Sequence, residues 1–501
     1  MYYKTYLLTL SVLLLMLFSY LHSTPVFPDP DSFYHARITA LMVEKKNIIT
    51  DFQWLPFTTL KKNFIDHHLI YHLFLSPFVA VLGPLWGIKI ASSLAATAVW
   101  IVFWLLAWHL VPIKNSHKKA ALISLFTVSL LFNETFFLRM NLEKIPAVSV
   151  LWLFGGVYSI LYKKTKLVFF LSFFYVWLHS GWPLLPLIAL LTRDRAIILA
   201  SFLGALAGLI INPYFPQNIS FYLIQIYDIA IINYRHILPV GSEWYPPGSK
   251  MIIWNLPAIF FYCISTILLF ARPIFPPSCG NTKRSPREWF LFCVSTLFFL
   301  LTIKSARHGE YFVPFATLFG ALVIIPHLYS ITAEEMQKKI MAFLWRGFYS
   351  TFGVLTFASL LMIVLLNSLW NVIRTFTQGS TIYKYEGAAA FLQKLTKKNE
   401  IVFHDRWDSM YPLWYYNQDN RYISGFDPTF LYKKNPELFW MYERISQGAI
   451  QKNIGERIYS LFGARAIMVE KENKPLQAAL KKDESVKKMY EDKFLEIYQS
   501  Y

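Results

Sequence analysis

Two aspartates, a histidine and an arginine crowd the run Pro28-Asp29-Pro30-Asp31-Ser-Phe-Tyr-His35-Ala-Arg37, directly after an apolar N-terminal segment. A carboxylate in such a place can take a proton from an attacking acceptor group. Two acids two positions apart on a loop can also share a hard divalent cation, for which Mg or Mn is suited. The structural alternative makes Asp31 the N-cap of an amphipathic interfacial helix over 32–46.

Similar groups recur further along the chain. Asp66-His67-His68 precedes an aromatic amphipathic stretch, and Arg139 and Glu143 share the run Phe137–Lys144. Glu243 sits between Ser242 and Trp244 in a long loop, and Arg307-His308-Gly309-Glu310 stands where a polar loop re-enters an apolar segment. Ionisable groups near a bilayer are costly, so their default reading is functional, facing a polar cavity.

The elements that must position these groups are membrane helices. The chain has 501 residues, 55% hydrophobic, 18% aromatic and only 16% charged, which is too apolar for an ordinary soluble enzyme. Eleven crossings are expected, near 6–22, 86–111, 120–136, 146–162, 167–178, 182–192, 196–211, 252–271, 289–303, 311–329 and 348–370, with 69–83 as a re-entrant or juxtamembrane helix. The net charge of +18 lies largely in short Lys/Arg clusters between apolar segments. That is the pattern of the positive-inside rule rather than of nucleic-acid binding. With this topology the clusters at Lys114/Lys118/Lys119, Lys163/Lys164/Lys166, Arg193/Arg195, Lys283/Arg284/Arg287 and Lys338/Lys339/Arg346 all face the cytoplasm. The acids, histidines and arginines named above then gather at the opposite face, and the first helix is expected to stay uncleaved. Cys263, Cys279 and Cys293 are placed neither for a disulfide framework nor for a zinc site.

From about residue 371 the composition turns polar. β-like runs at 400–404, 421–424, 465–470 and 494–498 alternate with helical patterns at 385–396, 435–448 and 453–462. They predict a small extracytoplasmic α/β domain over 371–501 after a membrane unit over 1–370.

The run Asp31-Ser-Phe-Tyr-His35-Ala-Arg37 resembles the first acidic motif of the oligosaccharyltransferase catalytic subunit and, more broadly, the GT-C membrane glycosyltransferases. The resemblance implies an integral cell-membrane enzyme that takes sugar from a polyprenyl-phosphate or -diphosphate carrier with inversion. Asp31, His35 and Glu243 would be catalytic; Asp29, Asp31 and Glu143 would hold Mg or Mn; Arg139, Arg307 and His68 would meet the donor phosphate. Arg406-Trp407-Asp408-Ser-Met resembles the Trp-Trp-Asp-Tyr-Gly acceptor signature only at Trp407 and Asp408, which would contact an acceptor. One competing expectation is a metal-independent transferase with a monophosphate carrier and Asp31 as sole base. Another is a non-enzymatic transporter or flippase; transporters usually place such groups at the bilayer midplane of repeated, broken helices, and this chain shows no repeat.

Overall fold

The computed structural model describes residues 2–271, 285–329, 348–378 and 381–501. Cys279 and the basic residues Lys283, Arg284, Lys338, Lys339 and Arg346 lie outside them. Among the described residues four helices are long and apolar enough to cross a membrane: Tyr3–Leu21, Leu69–Leu110, Pro286–Lys304 and Ala306–Leu328. Four of the other expected crossings are shorter apolar helices, Pro146–Leu161, Thr165–Leu178, Arg195–Ile210 and Leu256–Phe270. The chain is an integral membrane protein.

Local chemistry explains where the helices differ from expectation. The stretch 69–83 and the crossing after it form one helical run, Leu69–Leu110, broken at Gly83. Gly83 has φ of 76°, open to a residue without Cβ, and Pro84 follows without an N–H to continue the ladder. The crossing expected over 120–136 stops at Phe132 and turns by 84° into Glu134–Asn141. Asn133 holds the corner: its amide donates to the Ser129 carbonyl, and its side-chain oxygen accepts the Ala258 backbone N–H (3.0 and 3.1 Å). The break at 179–183 is present, between Thr165–Leu178 and Leu184–Leu190. The long loop after Asn212 is helical in part, with Gln217–Tyr222 running into a π-helix, Leu223–Ile232.

The C-terminal part carries a five-stranded sheet of β1 (Ile401–His404), β2 (Arg421–Tyr422), β3 (Ala466–Glu470), β4 (Val486–Glu491) and β5 (Leu495–Ser500). The strands lie in the order β2-β1-β3-β5-β4. β1 pairs in parallel with β2 and β3, and β5 lies antiparallel to β3 and β4. β4 was not expected. Its Val-Lys-Lys-Met-Tyr-Glu sequence is a mostly exposed edge strand without an apolar alternation to announce it. The central strand β3 is buried along its whole length.

This sheet domain packs directly on the segment between the first two crossings. Trp54 donates its indole N–H to Gln418 O and accepts the Tyr422 backbone N–H, both at 2.7 Å. Tyr34 packs edge-on against Phe426 at 4.7 Å and stacks on Trp414 at 5.9 Å. One continuous apolar core runs through both parts.

Candidate active site

A cavity of about 870 Å³ lies between one end of the helix bundle and the sheet domain. Of the ten residues to which the resemblance gives a role, all but Glu143 line it. Packing of the helix Asp31–Lys45 places the first acid. This helix is largely buried, from Ser32 to Met42 on most of its faces, rather than lying at an interface. Asp29, not Asp31, does the capping: its Oδ1 accepts the Asp31 backbone N–H at 2.9 Å. The Asp31 carboxyl is left facing the cavity, 39% exposed. Desolvation there pushes its pKa up to about 6, opposed by Lys144 and helped by Asp29 and Glu243.

Lys144 is the residue that sequence reading passed over. Its Nζ donates to Asp29 Oδ2 at 2.8 Å and to Asp31 Oδ2 at 3.2 Å. Burial lowers its pKa, but Asp29, Asp31 and Glu243 outweigh burial and raise it above the ordinary lysine value. The only sequence signal was its position at the end of the run that holds Arg139 and Glu143.

Across the cavity two guanidinium groups share one acid. Glu243 accepts from Arg139 Nη1 through Oε2 and from Arg307 Nη1 through Oε1, both at 2.7 Å. Arg139 also donates through Nε to Glu310 at 2.6 Å, and Arg307 lies over the Trp244 ring at 5.0 Å. The corner at Asn133 is what aims Arg139 here. Burial would raise the Glu243 pKa, but Arg307 and Arg139 hold it well below the usual carboxylate range. A carboxylate so held is a poor base, and Glu243 fixes the two arginines in place.

Glu143 is the clearest departure. It is fully buried, with Oε1 accepting from Lys89 Nζ and from the His22 ring, both at 3.0 Å. Ser32 donates to its other oxygen at 3.3 Å. It therefore does not join Asp29 and Asp31 as a metal ligand. The lone lysine in the apolar run 84–110 was the sign of a buried partner, because an ammonium there needs one.

The acids present do not fit the Mg or Mn site that the resemblance implied. A lysine ammonium bridges Asp29 and Asp31 where a shared cation would be coordinated, and the third ligand is committed elsewhere. Among the described residues no three His, Cys, Asp or Glu side chains converge as a metal-binding group.

The sheet domain closes the cavity with Trp407 and Asp408. Asp408 is clamped by Arg406 through both oxygens (2.9 and 2.6 Å), and Trp407 donates to Pro239 O at 3.3 Å. The indole thus joins the domain to the loop that carries Glu243.

No family model matches the chain, and no curated protein is similar to it in sequence. Solved structures do match. The Archaeoglobus fulgidus oligosaccharyltransferase in its apo form aligns with a TM-score of 0.63 at 10% identity, over 93% of this chain and 69% of that one. Archaeal oligosaccharyltransferase AglB from the same organism, in complex with an inhibitory peptide and a dolichol-phosphate, aligns at 0.61 and 10% identity, over 95% and 72%. ArnT from Cupriavidus metallidurans bound to undecaprenyl phosphate aligns at 0.54 and 14% identity, over 98% and 97%. The fold is that of the GT-C membrane glycosyltransferases. The likeness to the oligosaccharyltransferases, at 10% identity, is one of fold.

Proposed function

We propose that this protein is a membrane glycosyltransferase that moves a sugar or oligosaccharide from a polyprenyl-phosphate or -diphosphate carrier to an acceptor, with Asp31 as general base and without a divalent metal. The observation that carries this reading is the pairing, in one cavity, of a carboxyl poised near pKa 6 with a cluster of fixed cations, Lys144, Arg139 and Arg307. Asp31 takes the acceptor's proton as its heteroatom attacks the anomeric carbon. The bond from that carbon to the carrier phosphate oxygen breaks, and its electron pair leaves on the phosphate. The cations offset the charge that develops there, preorganised by Glu243 and Glu310 so that little reorganisation is needed at the moment of reaction. Two fold neighbours solved with dolichol-phosphate and undecaprenyl phosphate support a lipid carrier of this kind. Residues 1–370 form the catalytic membrane unit in this reading. Residues 371–501 present the acceptor, with Trp407 rather than the clamped Asp408 as its contact.

Transfer from a polyprenyl-linked sugar by the purified protein is expected to persist in excess EDTA. Lys144→Met is expected to abolish most of it in a way that added Mg or Mn does not restore. Loss of transfer in EDTA with recovery on adding Mg would return the site to metal chemistry and overturn this mechanism.

We place the C-terminal domain and the cavity on the extracytoplasmic side, because basic loops lie at the other helix ends. A reporter fused within 384–501 is expected to be active only outside the cytoplasm, and one at Lys118 only inside. Both reporting one side would reject the topology.

A further inference from the structure

Asp66 and His72, 2% and 0% exposed, take no part in the chemistry above, yet they decide what His35 can do. His72 Nδ1 lies 2.7 Å from Asp66 Oδ2, and His72 Nε2 lies 2.7 Å from His35 Nδ1. The other Asp66 oxygen accepts the His68 backbone N–H at 3.1 Å. A carboxylate only accepts, so His72 Nδ1 carries a hydrogen, and in the neutral ring its Nε2 is a lone pair. That lone pair can be met only by hydrogen on His35 Nδ1, so His35 Nε2 is in turn a lone pair.

His68 reaches the same state by another route. Its Nδ1 lies 3.1 Å from Leu178 O, a carbonyl that can only accept, so Nε2 is again the unprotonated nitrogen. The two rings are 5.3 Å apart and both line the cavity. Among the described residues neither Nε2 is hydrogen-bonded, and neither is sealed from the cavity. Burial, then the neighbouring imidazoles, hold His35 neutral well below its ordinary pKa and lower His68 to about 3.

Two neutral acceptors side by side suit a donor of hydrogen bonds. They do not suit a phosphate, whose oxygens also accept, so the phosphate-binding role expected for His68 does not follow. We propose that His35 and His68 form a subsite that accepts hydrogen bonds from hydroxyl groups of the donor sugar, with Asp66 and His72 as positioning residues that set the His35 tautomer. This rests on the glycosyltransferase reading and adds to it the part of the substrate these side chains recognise.

Asp66→Asn tests the tautomer chain with almost no change in shape. The asparagine oxygen keeps the His68 N–H, while its amide donates to His72 Nδ1. Every hydrogen in the chain then reverses, and His35 shows the cavity an N–H. His68→Phe removes the second acceptor. The readout is the affinity of the purified full-length protein for a short polyprenyl phosphate, alone and carrying each of a panel of hexoses. Both variants are expected to weaken the best hexosyl lipid about 10- to 100-fold, the usual effect of leaving a buried polar partner unmet, and to leave the bare lipid phosphate unchanged. Equal weakening of both lipids would make these histidines phosphate ligands and overturn the subsite. No change in either would reduce them to packing. Wild-type protein that binds the bare lipid and gains nothing from any sugar would overturn the subsite alone. Protein that binds neither lipid would overturn the donor assignment as well.

Discussion

Asp31→Asn is expected to lower transfer by about 10²–10⁴-fold, the range for loss of a general base, with the protein folded and its lipid donor still bound. Asparagine fills the same space and can still accept from Lys144, so the cavity keeps its shape while the proton acceptor is gone. The pH dependence of wild-type turnover supplies a second reading of the same residue. Its raised pKa of about 6 makes Asp31 neutral and inert at lower pH. Turnover is therefore expected to level off above roughly pH 7 and to fall about tenfold per unit below about pH 6. Any residual activity in Asp31→Asn should lack that limb. Near-normal turnover in the variant, with the limb intact, would move the base elsewhere.

The largest stability effect is expected at Lys89. Its ammonium and the Glu143 carboxylate are 1% and 0% exposed, so Lys89→Met leaves a buried anion with only His22 and Ser32 for company. Removing one member of such a pair typically costs about 3–5 kcal/mol, because the remaining charge is uncompensated. A clear drop in the denaturation midpoint of detergent-purified protein is the expected result. Adding Glu143→Gln to Lys89→Met is expected to recover part of the loss, since the second change removes the stranded charge. Were Glu143 a metal ligand instead, Glu143→Gln would shift a Mg or Mn requirement and spare the melting behaviour. That outcome would falsify its placement in the core.

The first motif was legible because Asp31 and its neighbours are contiguous: a helix start keeps Asp29, Asp31 and His35 together whatever the rest of the chain does. Arg139, Glu243 and Arg307 were legible only as candidates. They are charged groups next to apolar segments, and nothing in their spacing says that one glutamate bridges two arginines from two other elements. Two acids have partners that sequence spacing does not announce, for the same physical reason. Glu143 and Glu243 each meet cations distant in sequence, and whether an acid is a base, a ligand or a strut depends on who meets it. His68 is a like case: its Nδ1 meets a carbonyl 110 residues away.

Composition and periodicity by themselves determined that the chain lives in a membrane, that a polar α/β domain follows, and that a first acidic motif stands at the junction. Those properties depend on local hydrophobicity and on residues within a turn or two of each other. Tertiary structure alone put a lysine beside Asp31. A lysine and a divalent metal answer the same need for positive charge between two carboxylates. Only the fold of the 142–145 turn brings Lys144 there and sends Glu143 the other way, to Lys89.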